Sequence, residues 1–482
     1  MRYIAIFMNL EQHLLYVMRD QAVSELSLYR AIAKVIADVI ISDQLIAGEK
    51  LPPQRTLART LDVTIGTISR AYKWLEQQEH VSSRIGDGTY VREKAIAASL
   101  SIPVADMDPD RQRDDRVLDF AHNLIRTDRQ VDVLRQTLLD ISADSSALAN
   151  TLGYTPEIGS VNHRLRFSLW LRRYGLSGDP ARIALTCGGQ HALACLFRIL
   201  SVPGDVILCE EISYPGIIAL AHQMHLQLIG VKVDDEGIIP DALEQACRTH
   251  QSRLLFCVPT LHNPTTAVMS EARRRAIASI AKKYQLRIVE DTVPGVIVAD
   301  QPPALAAYLP EQVFMVGSFS KSLAPGLRIG YIHAPEAWLG KLAAVIRANC
   351  WMVSPISAEI ICRWLDHGVV RSLLAEQRDD NRALQSLATE RLRDVHFQRH
   401  ADGSHLWLPL PANVRTSEFV DTLWRRGVIV KPVDAFTVGR THAPAAVRLC
   451  LSAVPDKERL RKGLDIVAQT LRDGPEGFVA LA

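Results

Sequence analysis

Residues 317–331 read GSFSKSLAPGLRIGY, with Lys321 between two serines and Arg328 seven residues on, past a Pro-Gly turn. A lysine amine condenses with an aldehyde, while hydroxyls and a guanidinium hold a phosphate. Four other stretches carry groups that complement these. TCGGQHA sets Gly188, Gly189 and Gln190 at the start of an expected helix, whose bare N–H groups form an anion cup. EEISYPG presents Tyr214, HNPTT presents Asn263 before a proline, and IVEDT ends in Asp291. One cofactor uses all of these parts: pyridoxal 5′-phosphate (PLP). Lys321 would form its Schiff base, and Asp291 would keep its pyridine nitrogen protonated. Asn263 would donate to its phenolate oxygen and Tyr214 would cover a ring face. Gly189, Gln190, Ser318, Ser320 and Arg328 would hold its phosphate. Singly, each has a plain structural reading: a surface lysine, a capping aspartate, an Asn-Pro turn, a glycine corner. Their joint order along the chain is what points to a cofactor.

These groups need strand ends to stand on. RIALTCGG, DVILCEE, LQLIGVKV, RLLFCVPT, LRIVEDT and VFMVGSFS are short apolar runs bounded by turns or helical stretches. Runs so apolar are strands covered on both faces, hence an α/β sheet. Ligands in such sheets sit at the carboxyl ends of strands, where the candidate residues fall.

The first hundred residues read differently. Leu28, Ile32, Val35, Ile36, Val39 and Ile40 recur at helical spacing. QRTLARTLDV starts a second helix, and a third begins at Thr64 or Thr67. VSSRIGDGTYV then reads as a hairpin around Gly86-Asp87-Gly88. That is a winged helix-turn-helix, whose second paired helix enters the DNA major groove. Its outward side chains are expected to be Thr67, Ser69, Arg70 and Lys73. Arg55 and Arg59 would grip phosphates, and Arg84 would lie on the wing. Five basic residues stand against three acidic ones from Arg55 to Arg84, so charge alone adds little.

The 482 residues carry a formal net charge of +2, which excludes a global basic field; nucleic-acid binding has to be local. Eight cysteines include no C-x-x-C pair, and most sit in apolar runs. Buried free thiols in a reducing cytoplasm are expected, rather than disulfides or a zinc site. No apolar run is long enough to span a bilayer. Residues 1–26 form an N-terminal extension without a small-residue cleavage site, so no secretory signal is expected. Residues 93–116, small, polar and broken by Pro103 and Pro109, read as a tether.

LPPQRTLARTLDVTIGTISRAYKWLEQQEHVSSRIGDGTYV resembles the DNA-binding domain of the GntR family of bacterial regulators. It departs at Ile65 and Gly66, where many relatives place an arginine. From about Val117 the chain resembles fold-type I, aspartate aminotransferase-like enzymes, through G-G-Q, the aromatic before P-G, H-N-P-T, E-D and S-x-S-K with its following arginine. That resemblance implies roles for two more residues. Tyr154 in YTPEIG would reach the phosphate from a partner subunit, and Arg448 in VRLCLS would grip a substrate carboxylate. GSHLWLPLP matches the first strand of a small domain. Relatives usually carry a tyrosine two or three residues after the aspartate; Val293 and Pro294 stand here, which is expected to weaken transamination. Thr266 replaces a usual glycine.

Together the halves resemble the MocR subfamily of transcriptional regulators. The implied fold is α/β: a winged helix-turn-helix (residues 27–92), the tether, and a PLP-transferase-like domain (117–482). That domain would have a large part with a mostly parallel sheet and a small α+β part from about residue 360. The implied molecule is a cytoplasmic homodimer that binds a double-stranded DNA operator and senses an amino compound or PLP. The alternative is a working aminotransferase with an accessory DNA-binding domain.

Overall fold

The computed structural model describes residues 28–41, 45, 49–77, 80–84, 88–91, 117–125, 128–439, 444–454 and 456–479. The expected N-terminal extension and tether lie outside the described residues. The chain divides into two compact units, Met1–Asp108 and Pro109–Ala482.

In the first unit, helices α1 (Leu28–Ile41), α2 (Gln54–Thr60) and α3 (Ile65–Gln77) precede a hairpin of β1 (Val81–Arg84) and β2 (Gly88–Val91). The hairpin is antiparallel, from Val81 opposite Val91 to Arg84 opposite Gly88. Apolar spacing explains the fold: Ile32, Val35, Ile36, Val39 and Ile40 of α1 are all buried. They pack against Leu57 and Leu61, against Ile68, Ala71 and Leu75 of α3, and against Val81 and Val91 of the hairpin. Asp62 takes a left-handed conformation (φ 51) in the turn between α2 and α3. Thr64 Oγ1 accepts the Thr67 N–H at 3.2 Å, satisfying one of the orphan donors that begin α3.

The second unit opens with β3 (Leu118–Asp119), followed by β4 (Ile183–Thr186), β5 (Val206–Glu210), β6 (Gln227–Val231) and the short hairpin β7 (Val233–Asp234) and β8 (Gly237–Ile238). Then come β9 (Leu254–Cys257), β10 (Arg287–Asp291), β11 (Val313–Ser318) and β12 (Gly330–His333). Seven of these form one sheet in the order β4-β12-β11-β10-β9-β5-β6. Only β12 runs antiparallel to its neighbours. Successive residues of a strand face opposite sides, so Ile288 joins one apolar core and Val289 the other. Both faces are covered, as the uniformly apolar runs imply.

The last part holds β13 (Gln398–Arg399), β14 (His405–Pro409), β15 (Val428–Ile429), β16 (Lys431–Pro432) and β17 (Ala446–Cys450). The antiparallel sheet order is β13-β14-β17-β16, while β15 pairs in parallel with β3. The boundary of this small part differs from the expected residue 360. Within the helix Val369–Arg391, Val370, Leu373 and Leu374 belong to the large core, whereas Leu384, Leu387 and Ala388 belong to the small one. Leu118 and Phe120 also join the small core. No helix among the described residues is long and apolar enough to cross a membrane.

Candidate functional site

Lys321 lies three residues beyond the end of β11, and its Nζ donates to the Asn123 carbonyl at 2.8 Å. The residue remains open to solvent. Even so, the protein around it pushes its amine below the ordinary lysine value, and the charges of Arg448 and Arg328 act in the same direction. Asp291 ends β10 at 5% exposure and accepts the Val293 N–H at 2.9 Å. It makes no ion pair among the described residues, and desolvation pushes its carboxyl up to about 7. Tyr214 stands before the helix Pro215–Gln223. Burial, with the Asp291 charge second, pushes its phenol up to about 12, so the hydroxyl keeps its proton.

Arg448 on β17 is 6% exposed. Its Nη1 donates to Asn263 Oδ1 at 2.8 Å and its Nη2 to the Ala121 carbonyl at 2.6 Å. Its guanidinium lies 5.0 Å from the Phe436 ring centre. Buried Nε has no hydrogen-bond partner, and among the described residues no carboxylate pairs with this cation. Asn263 offers its oxygen to Arg448, which leaves its amide hydrogens as the donors.

The anion cup forms where β4 turns into the helix Gly189–Leu200. Gly188 is its N-cap at φ 90 and ψ 171. A Cβ there would lie 2.5 Å from Arg328 Nη2, so only glycine leaves room for the guanidinium. Arg328 donates from Nη2 to the Cys187 carbonyl at 3.1 Å and from Nη1 to Ser320 Oγ at 3.5 Å. A Cβ on Gly189 would lie 3.0 Å from Val293 Cγ2 and 3.6 Å from Ser318 Cβ. Gln190 Nε2 donates to the Gly216 carbonyl at 3.0 Å. Ser318 differs from its expected place in the cup: its hydroxyl donates to the Ile329 carbonyl at 2.9 Å. Ser318 also stations Ser320: its Oγ accepts the Ser320 N–H at 3.2 Å and lies 3.0 Å from Ser320 Oγ.

This set fits PLP: a primary amine, a phenol that stays protonated, a helix N-terminus and, among the described residues, a buried acid without a cation and an arginine without an anion. Tyr154 is 84% exposed and meets Trp351 at 5.8 Å between ring centres. Thr266 holds φ 65, a conformation natural to the glycine it replaces. The residues missed by sequence reasoning are backbone acceptors. Ala121 holds Arg448, Asn123 holds Lys321, and Leu124 accepts from Ser452 Oγ at 2.5 Å. No side-chain pattern announces a carbonyl, so nothing in the sequence marked them.

On the first unit, Arg55, Arg59, Ser69, Arg70 and Lys73 are exposed. Arg70 lies 5.5 Å from the Tyr29 ring centre and donates to the Gly66 carbonyl at 3.3 Å. Thr67 corrects its expected outward position. It is 8% exposed, and its Oγ1 pairs with Thr64 Oγ1 at 2.9 Å. Because α3 starts at Ile65, its exposed first turn shows Ile65 and Gly66 instead. Arg84 pairs through its backbone with Gly88, but its side chain lies outside the described residues.

Comparison with known proteins agrees with both halves. Residues 28–91 match the gntR family of bacterial regulatory proteins, and residues 115–467 match aminotransferase class I and II. An uncharacterized HTH-type transcriptional regulator of Bacillus subtilis, YdeF, is 29% identical over 93% of this chain and 96% of its own. The HTH-type transcriptional regulator TauR of Rhodobacter capsulatus is 26% identical over 92% of this chain and 97% of its own. Among solved structures, an archaeal alanine:glyoxylate aminotransferase superposes with a TM-score of 0.69 at 26% identity, covering 79% of this chain and 96% of its own. The cofactor of this fold's relatives is PLP. The chain belongs to the aminotransferase class I and II family and carries that domain behind a GntR-type DNA-binding domain, the arrangement of the MocR subfamily.

Proposed function

We propose that this chain is a transcriptional regulator whose DNA-binding unit answers to PLP and to an amino compound held by the aminotransferase-like unit. Arg448 carries the reading: a buried guanidinium, fixed by Asn263 and Ala121, that meets no carboxylate among the described residues. A planar fork of this kind clamps a carboxylate in two-point fashion. PLP, when bound, supplies an aldehyde and an electron-accepting ring. Lys321, with its lowered pKa, offers more neutral amine at neutral pH than an ordinary lysine does. Asp291 would hold a proton at the pyridine nitrogen, and Gly189, Gln190, Ser320 and Arg328 would hold the phosphate. Val293 and Pro294 offer no hydroxyl for the phenolate oxygen, which favours sensing over turnover.

The working unit is a homodimer. Leu138, Leu139, Leu152, Tyr154, Val161 and Leu169 leave large apolar surface exposed within one short stretch, which a second copy would cover. Tyr154 would then reach the partner's phosphate cup, and two DNA-binding units would meet two half-sites. An effector acts by binding one arrangement of the dimer more tightly than another.

The second reading is a working aminotransferase, favoured by the presence of Lys321, Asp291, Asn263 and Arg448 together. The test is an absorbance spectrum of the chain with PLP, followed by titration with amino acids while DNA binding is measured. A band near the visible edge that vanishes in Lys321→Ala, with amino acids shifting DNA affinity, is expected. No band even with added PLP sinks the reading, and steady turnover of amino acid and keto acid without any change at DNA favours the enzyme.

A further inference from the structure

Cys187, His191 and Cys195 lie at intervals of four residues along the corner that begins the anion cup and its helix. The fold adds Cys350, the last residue of the helix Leu339–Cys350. Cys187 Sγ and Cys350 Sγ are 3.6 Å apart. His191 Nε2 lies 3.3 Å from Cys195 Sγ and 3.8 Å from Cys350 Sγ. Cys350 is exposed, Cys187 half-buried and Cys195 buried.

Cys187, His191 and Cys350 are close enough together to suit a soft metal ion, or the two thiols can act as a redox pair. The histidine decides between them. Its Nδ1 accepts the Cys187 N–H at 3.0 Å. Burial keeps the ring neutral by lowering its pKa. Its single ring proton therefore sits on Nε2, which faces the sulfurs as a donor and not as a metal ligand.

We propose that Cys187 and Cys350 form an oxidation site, a dithiol that a hydroperoxide closes to a disulfide, and that closing it loosens the adjoining phosphate cup. Burial, and next the charge on Cys187, push the Cys350 thiol up to about 12, so the two sulfurs do not ionise together. The reactive form is the pair with one proton left. Its thiolate attacks a peroxide oxygen; the O–O bond breaks, the leaving alkoxide or hydroxide takes a proton from solvent and departs as alcohol or water, and a sulfenic acid remains. The second sulfur displaces the hydroxyl, which departs as water with that thiol's proton. Two electrons pass from the sulfurs to the peroxide, one S–S bond forms and one O–O bond breaks.

A disulfide is about 2.05 Å long, so the sulfurs must close by roughly 1.5 Å. Cys187 sits where such a shift is felt. Its carbonyl holds Arg328, its N–H is held by His191, and the next residue caps the helix of the cup. This second half of the proposal rests on the PLP reading; the disulfide does not.

The test treats the full, reduced chain with hydrogen peroxide, maps its peptides by mass spectrometry without reductant, and measures PLP affinity before and after. The expected result is a peptide pair joined through Cys187 and Cys350, with PLP affinity lower by about tenfold, the worth of one charge-assisted hydrogen bond. Reductant restores the affinity, and Cys350→Ser neither cross-links nor loses affinity in peroxide. Cys350→Ala serves as a second variant should the serine perturb folding. Sulfinic acid without a cross-link overturns the site. A cross-link with unchanged PLP affinity overturns its link to the cup. One equivalent of zinc that copurifies with the chain and is lost in Cys350→Ser overturns the redox reading in favour of a metal. Absence of PLP binding by the reduced chain defeats the cofactor reading instead, while the peptide map still decides the disulfide.

Discussion

Asp291 and Glu210 are buried acids at the ends of β10 and β5, and neither has a cation against it among the described residues. Glu210 accepts the Val258 N–H at 2.6 Å and the Ser213 hydroxyl at 3.1 Å. Desolvation pushes both carboxyls up to about 7. A folded-state pKa above the unfolded value means the native chain binds the proton more tightly. Stability of the cofactor-free chain is then fullest below the ordinary carboxylate range and falls as pH rises toward 7. A pyridinium beside Asp291 removes its share of the loss. We expect the thermal midpoint of the cofactor-free chain to fall between about pH 5 and pH 7.5, and PLP to reduce the fall. Asp291→Asn should flatten part of the slope, leave Glu210's part, and abolish PLP retention. Calorimetry across pH checks this; an unchanged slope in the variant rules out Asp291 as its source. At this scale the sequence disclosed the side chains well, because amine, acid, amide and guanidinium are distinctive and stand in order. It did not disclose that the Ser318 hydroxyl reaches the Ile329 carbonyl, or that Thr67 turns inward. A helix start displaced by a residue or two reassigns every face.

The corner between β4 and its helix works only with Gly188. Both its φ of 90 and the Arg328 guanidinium exclude a side chain. Gly188→Ala should weaken PLP binding by about ten- to a hundredfold while helix content by circular dichroism stays the same. Gly326→Ala, whose added Cβ meets nothing within 4 Å, is the control and should bind normally. On the first unit, Thr64 holds the start of α3. Thr64→Ala should cost about 1 kcal/mol and lower that unit's melting temperature by about 5 °C. An unchanged melt means the cap contributes nothing. The strands of the large sheet were legible because runs apolar on both faces admit few alternatives. The small part's boundary was not. The helix Val369–Arg391 keeps its apolar stripe while the core it faces changes, and a stripe does not say which core it meets.

With a net charge of only +2, the whole molecule carries no global basic field, and in the proposed homodimer DNA affinity would rest on pairing two DNA-binding units. Leu152 and Leu139, 87% and 56% exposed, are the residues through which to break the pair. Leu139→Asp with Leu152→Asp should sediment as a monomer, lose PLP affinity with Tyr154's contribution, and halve the slope of DNA affinity against salt. A double variant that stays dimeric refutes this surface as the interface. The stretch 117–125 has a consequence at the same scale. It is stitched in by β3 beside β15, and gives its carbonyls to Arg448, Lys321 and Ser452. In mechanical terms the segment is pinned, inside the second unit, to the two side chains that a ligand would claim. A ligand that took Lys321 and Arg448 for itself would remove two of the three side chains bonded to these carbonyls. By reciprocity, whatever strengthens the hold of residues 117–125 on Lys321 and Arg448 would weaken that ligand's binding.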